Sequence, residues 1–164
     1  PAEISISGSD NNAITIPTNP TPIIPTPTPN LLNLASINSI ASKNISYVGD
    51  AISYATTVKN VGNVPLGTYD VPVTVFTELS PSVSFIPGSL SINNVPVNCV
   101  NPSQINLGIL QPGDVRIITY SVRVNNACPN IVYNIQKLLY GYDPLYIGTS
   151  TFSVNGNIVM TYIN

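Results

Sequence analysis

The stretch Tyr47-Val-Gly-Asp50, Ala51-Ile-Ser-Tyr-Ala-Thr-Thr-Val-Lys-Asn60, Val61-Gly-Asn-Val-Pro-Leu66 sets a turn, an alternating β-branched run and a second turn end to end. A period of two between Gly/Asn/Pro turn signals reads as a half-buried strand rather than a helix. The same grammar recurs outward from it, in Phe85-Ile-Pro-Gly-Ser-Leu90 and in Leu107-Gly-Ile-Leu-Gln-Pro-Gly-Asp-Val115. Val, Ile, Thr, Tyr and Asn dominate, and the chain carries 16 prolines. Helix is nearly excluded, because no stretch of three turns shows a 3.6-residue period with caps. Strands are expected near Leu34–Ile40, Ile52–Lys59, Val71–Glu78, Val83–Ile86, Leu90–Ile92, Ile105–Leu110, Val115–Val124, Ile131–Tyr142, Thr149–Val154 and Ile158–Ile163. Gly49, Gly62, Gly88, Asn93-Asn94, Gly113 and Gly156 are expected to supply positive φ or preset turns.

In order and spacing these segments resemble the conserved-repeat module of prokaryotic surface proteins, the family called domain of unknown function eleven. The pattern shared is Gly-Asp, a Tyr/Thr/Val strand, Asn-x-Gly-Asn-x-Pro-Leu, Phe-x-Pro-Gly-Ser and Leu-Gly-x-Leu-x-Pro-Gly. It covers the chain from about Leu34 to the C-terminus. The resemblance implies an extracellular structural module and argues against an enzyme. The expected fold is all-β, an immunoglobulin-like antiparallel β-sandwich with an N-terminal extended arm. Tyr54, Val58, Phe85 and Leu107 are expected in its core.

Composition narrows the partners. Only 7% of the 164 residues are charged and the net charge is −2, so there is no electrostatic footprint for nucleic acid or an anionic membrane. Polarity comes from Asn, Ser and Thr, which suits a surface that packs against copies of itself. No apolar run approaches the roughly twenty residues of a membrane-spanning helix. The chain starts at Pro1 without a visible leader, as expected of a processed or trimmed chain. Several strands are apolar on both sides. In Val115–Val124, for example, Val115 and Ile117 face one way and Ile118, Tyr120 and Val122 the other. Either the sandwich is thick or its outer face meets a neighbour.

Three parts follow. Residues 1–16 hold two short alternating strands around Ser9-Asp-Asn-Asn12. Residues 17–30 are a Thr-Pro tract whose prolines fix φ and remove donors, so it should run as a polyproline II spacer. Residues 31–164 form the sandwich. In the arm, Ile4 and Ile6, and likewise Ile14 and Ile16, share one face of an extended chain. The plain reading is a tail or linker remnant. The functional one is a donor strand that completes a neighbouring subunit's sheet.

Chemistry is sparse. Histidine is absent, which removes Ser-His-Asp and Cys-His catalysis and His-ligated zinc. The seven acids are scattered without paired-carboxylate or calcium-loop spacing, and Asp50, Asp114 and Asp143 beside Gly or Pro read as turn residues. No catalytic residue, metal site or cofactor is expected. The pair Cys99 and Cys128 admits an intrachain disulfide, which we expect, an intersubunit bridge or two free thiols. A Lys–Asn isopeptide bond involving Lys43, Lys59 or Lys137 is conceivable, although solvent-facing lysines explain these positions more simply. Asn44-Ile-Ser46 fits a glycosylation sequon.

These readings converge on an extracellular structural subunit of a cell- or spore-surface filament or pilus. It would polymerise head to tail with identical subunits by donor-strand complementation. The alternative is a monomeric adhesin or cell-wall stalk module with an unidentified ligand.

Overall fold

A computed structural model describes residues 34–98, 101–143 and 148–164. The expected arm (1–16) and spacer (17–30) lie outside the described residues. The described chain is all strand, turn and loop. It comprises β1 (Ala35–Ala41), β2 (Ile45–Ser46), β3 (Ala51–Asn60), β4 (Val73–Leu79), β5 (Val83–Phe85) and β6 (Ser91–Ile92), followed by β7 (Val95–Pro96), β8 (Gln104–Gly108), β9 (Val115–Val124), β10 (Ile131–Tyr142), β11 (Ser150–Asn155) and β12 (Val159–Ile163).

Two sheets face each other. The first runs β1-β3-β9-β6-β7, with β5 also on β9; the second runs β2-β12-β10-β4-β8, with β11 also on β10. The pairing is antiparallel throughout except where β2 lies parallel to β12. That exception comes from a strand switch. The chain leaves β3 after β1, turns through Ser42–Asn44 and joins β12 in the opposite sheet. The fold is the expected immunoglobulin-like sandwich.

Alternation places one face of each long strand inside. In β3, Ile52, Tyr54, Thr56 and Val58 are buried while Ser53, Thr57 and Lys59 are exposed. In β9 the two faces separate as expected, and it is Ile118, Tyr120, Val122 and Val124 that point inward and Val115 and Ile117 outward. Tyr54 and Tyr120 pack with ring centroids 5.5 Å apart at the centre. Each fully enclosed aliphatic or aromatic side chain contributes roughly 1.5–3 kcal/mol relative to exposure. Phe85 departs from the expected core: it lies on the three-residue β5 at the margin and is only half-buried. Tyr54, Val58 and Leu107 are in the core as expected.

The stretch that decides the fold closes on itself. Asn60, fully buried, donates through Nδ2 to the carbonyls of Val64 (2.7 Å) and Leu110 (2.9 Å) and accepts from the Gly62 amide (3.0 Å). Its backbone bonds to Asp114 and Gly113, and Leu66 pairs with Leu110. The Asn-x-Gly-Asn-x-Pro-Leu and Leu-Gly-x-Leu-x-Pro-Gly segments are therefore two halves of one knot. The glycine at position 62 serves space rather than positive φ: a Cβ there would sit 2.7 Å from the Leu34 side chain. Gly156 is likewise packed, with the Gln136 carbonyl 3.0 Å from a would-be Cβ. Asn93 and Asn94 do take positive φ (49° and 64°), forming the tight β6–β7 hairpin that their sequence signals.

A buried polar layer ties the sheets together. Gln136 on β10 accepts from Ser39 Oγ on β1 (2.6 Å) and Thr56 Oγ1 on β3 (2.5 Å), and donates to Thr77 Oγ1 on β4 (3.2 Å). These bonds fix the register of one sheet against the other, since a slip would strand each group without a partner.

Candidate assembly surface

Few of the residues singled out by sequence fall on described positions. Ile4, Ile6, Ile14 and Ile16 lie outside the described residues, and so does Cys99. Cys128 is exposed in the loop after β9. Asn44 is exposed at the β1–β2 switch, its backbone carbonyl accepting the Tyr162 amide at 2.9 Å.

Two of the turn acids are occupied locally. Asp50 accepts from Lys43 Nζ (2.8 Å), Ser46 Oγ (3.1 Å) and the Tyr47 amide (3.4 Å), and the Lys43 bond first, then that from Ser46, holds its carboxyl below the usual range. Asp114 accepts from the Gln111 amide (3.0 Å) and Arg116 (3.4 Å). Both act as turn staples. Lys43 is thus ion-paired, and Lys59 and Lys137 are exposed, which leaves the isopeptide reading without a buried lysine. Among the described residues no three of Cys, Asp and Glu gather into a metal-ligating cluster.

What the structure brings together is surface. The outer face of the β2-β12-β10-β4-β8 sheet is apolar along a diagonal. Ile45 stands beside Tyr162 and Tyr162 beside Ile131, and the next cross-strand pair is Met160 with Tyr133. Ile45, Met160 and Tyr162 are each more than half exposed (56%, 53% and 52%). The stripe leads into an apolar groove of about 520 Å³ walled by Phe76, Ile135 and Ile158, with Glu78 and Lys137 at its lip. The outer face of the opposite sheet is mixed: hydroxyl pairs bonded across strands, Ser53 with Ser121 at 2.8 Å and Ser91 with Thr119 at 2.6 Å, lie among exposed Ile40, Val115 and Ile117. Sequence reading found the doubly apolar strands but not the groove. The groove depends on which strands are neighbours, and alternation within one strand does not encode that.

The sheet edges differ in kind. On β1, the Ser39 amide donates to Asn157 Oδ1 (2.7 Å) while Asn157 Nδ2 donates to the Ser39 carbonyl (2.8 Å), so one side chain caps the edge on both counts. On β7, Pro96 removes a donor. Among the described residues, β11 has β10 as its only ladder partner.

No family model and no curated protein matches this sequence. The resemblance to the conserved-repeat module therefore stands on its motifs alone. Solved structures do match. The fold is similar to that of a variant of BcpA, the major pilin subunit of Bacillus cereus, with TM-score 0.57 and 8% identity over 79% of this chain and 40% of the pilin. It is also similar to the full-length major pilin SpaD from Corynebacterium diphtheriae, with TM-score 0.54 and 13% identity over 78% of this chain and 34% of that one. At these identities the likeness is one of fold, and this chain spans less than half the length of either pilin.

Proposed function

We propose that this protein is a structural subunit of an extracellular surface filament built from identical copies. The observation that carries the reading is the exposed apolar diagonal from Ile45 through Tyr162 and Met160 into the groove at Phe76. Large contiguous apolar surface on a sandwich with so little charge marks a face that a neighbour covers. The fold likeness to two major pilins supports a structural role, and the absence of histidine removes His-dependent acid–base and nucleophilic catalysis.

The proposed linkage is strand donation by residues 2–16. Fourteen residues in the 17–30 spacer reach about 43 Å at roughly 3.1 Å each, and a domain of this size is about 35–40 Å across. An arm beyond that spacer clears its own domain and meets the next, and a head-to-tail contact of this kind propagates. Negative-stain microscopy of the purified protein should show filaments, and deletion of residues 1–16 should leave a folded monomer. Filaments that form unchanged without residues 1–16 would sink strand donation. A second reading, a stalk or binding module within a longer surface protein, is favoured by the partial coverage of the pilins. It predicts a single compact peak on size exclusion for the full chain.

We further propose that Cys99 and Cys128 are bonded within one chain. Intact mass under non-reducing conditions should fall short of the reduced mass by two hydrogens, and two alkylatable thiols in native protein would end the idea.

A further inference from the structure

We infer that the outer edge of β11, Ser150–Asn155, is the strand edge that receives the N-terminal arm of a second copy; this rests on the strand-donation reading above. The inference comes from comparing the edges. That of β1 is already capped at Ser39 by the Asn157 amide. β7 carries Pro96, and β5 is three residues long between Pro81 and Pro87. β8 is longer, but its inward residues Ile105 and Leu107 are buried without help (4% and 9% exposed), so an added strand would cover nothing. β2 covers only the neighbouring β12, for two residues. β11 continues the line of β12 along β10, so beyond β2 the same sheet edge has no further strand among the described residues.

The backbone and side chains of β11 suit the role. Gly156 donates its amide to the Gln136 carbonyl at 2.8 Å, which fixes the phase of the β10–β11 ladder. By alternation Val154 and Phe152 direct their backbone groups to β10, and Asn155, Ser153 and Thr151 direct theirs outward. Phe152 and Val154 point their side chains toward the core yet remain half-buried. Phe152 lies against Tyr140 (5.9 Å between centroids) and Tyr142 (6.3 Å), so a strand beyond it would seal an aromatic cluster. The arm has the matching pattern. Ile4 and Ile6 are spaced as Phe152 and Val154 are, and Glu3, Ser5 and Ser7 would share the solvent side with Thr151, Ser153 and Asn155.

The donor is a second copy on grounds of reach. β1 passes beside the end of β11, with Ile37 3.6 Å from a would-be Gly156 Cβ, so this edge lies at the root of the chain's own arm. A spacer of about 43 Å carries the arm away from that root.

The test uses the full chain with Cys99 and Cys128 replaced by Ser. Single variants carrying Ser5→Cys are mixed under oxidising conditions with single variants carrying Thr151→Cys, Ser153→Cys or Asn155→Cys. A disulfide-linked heterodimer is expected with at least one of the three, and none with Gln104→Cys on β8. The corresponding double variants should give ladders. As a second readout, Ser153→Pro removes an outward amide while sparing the bonds to β10. It should abolish filaments without changing the melting temperature by more than a few degrees. Cross-links to β8 with none to β11, or normal filaments from Ser153→Pro, would overturn the β11 assignment while leaving strand donation standing. Cross-links only within one chain would overturn the second-copy claim. Unlinked protein whose filaments need no residues 1–16 would remove both.

Discussion

At the scale of the residue, Asn60 and Tyr54 show opposite ways of burying a polar group. Asn60 satisfies three partners at once, and its amide is the only group of its size that both donates twice and accepts there. Asn60→Ala removes all three bonds, leaving the Val64 carbonyl without its partner while the Leu110 carbonyl keeps the Leu66 amide and the Gly62 amide keeps the Leu34 carbonyl. It should cost about 1–3 kcal/mol, read from urea denaturation. Asn60→Asp should be no better at neutral pH, because a carboxylate cannot donate to Val64 and Leu110. A loss below about 1 kcal/mol for Asn60→Ala would refute the knot. Tyr54 is 1% exposed and its hydroxyl has no hydrogen-bond partner among the described residues. Burial pushes its phenol up to about 12. Tyr120 is also raised, by burial first and by Tyr54 beside it second. A raised acid favours the protonated, folded form, so full stability holds below the unfolded value of about 10. Stability is then lost as pH climbs from there toward the folded value, at about 1.4 kcal/mol per pH unit for each such group. Tyr54→Phe should leave neutral-pH stability level or slightly higher and make the alkaline fall shallower in melts between about pH 8 and 12. An unchanged alkaline slope would count against the burial argument.

At the scale of the element, legibility tracked length. β9 and β10 are found with their expected bounds, Val115–Val124 and Ile131–Tyr142, because long alternating runs carry their own period. β2 and β7, two residues each, were not legible: β2 exists because β12 offers an edge, and β7 contains a proline that argues against a strand locally. Gly62 and Gly156 read as turn glycines, yet close approach of Leu34 and the Gln136 carbonyl is what excludes a side chain. Such contacts join distant segments, and no local pattern announces them. The same limit applies to the surface. That Met160 and Tyr162 are outward on β12 follows from alternation, but their union with Ile45 and Phe76 follows only from strand order. Met160→Asp should therefore lower assembly while leaving the monomer's melting temperature within a few degrees, since the site is exposed in the isolated chain. Sedimentation and thermal melts of the same preparation check this. A matched fall in both would mean that the stripe serves the fold rather than the interface.

At the scale of the whole molecule, the proposed strand donation makes the length of residues 17–30 the quantity that would set the geometry of the assembly. Residues 17–30 carry Pro at positions 17, 20, 22, 25, 27 and 29, a density that favours an extended run over coil. Length along such a run is nearly proportional to residue count, so on the strand-donation proposal this tract would act as a ruler. Replacing its threonines by serine changes neither φ restriction nor length and should leave filaments intact. Removing about half of it leaves roughly 22 Å of reach, short of the about 35–40 Å needed to cross a domain. Filaments of that variant should be lost or should show a smaller axial repeat, with the isolated domain still melting at the parental temperature. Adding a similar number of Thr-Pro residues should lengthen the repeat or loosen its regularity, because effective concentration falls once the linker exceeds the span. Image averaging of stained filaments measures the repeat in all of these proteins. If it stays constant from the shortened spacer to the lengthened one, contacts between sandwiches set the repeat, and the apolar face rather than the arm becomes the organising interface.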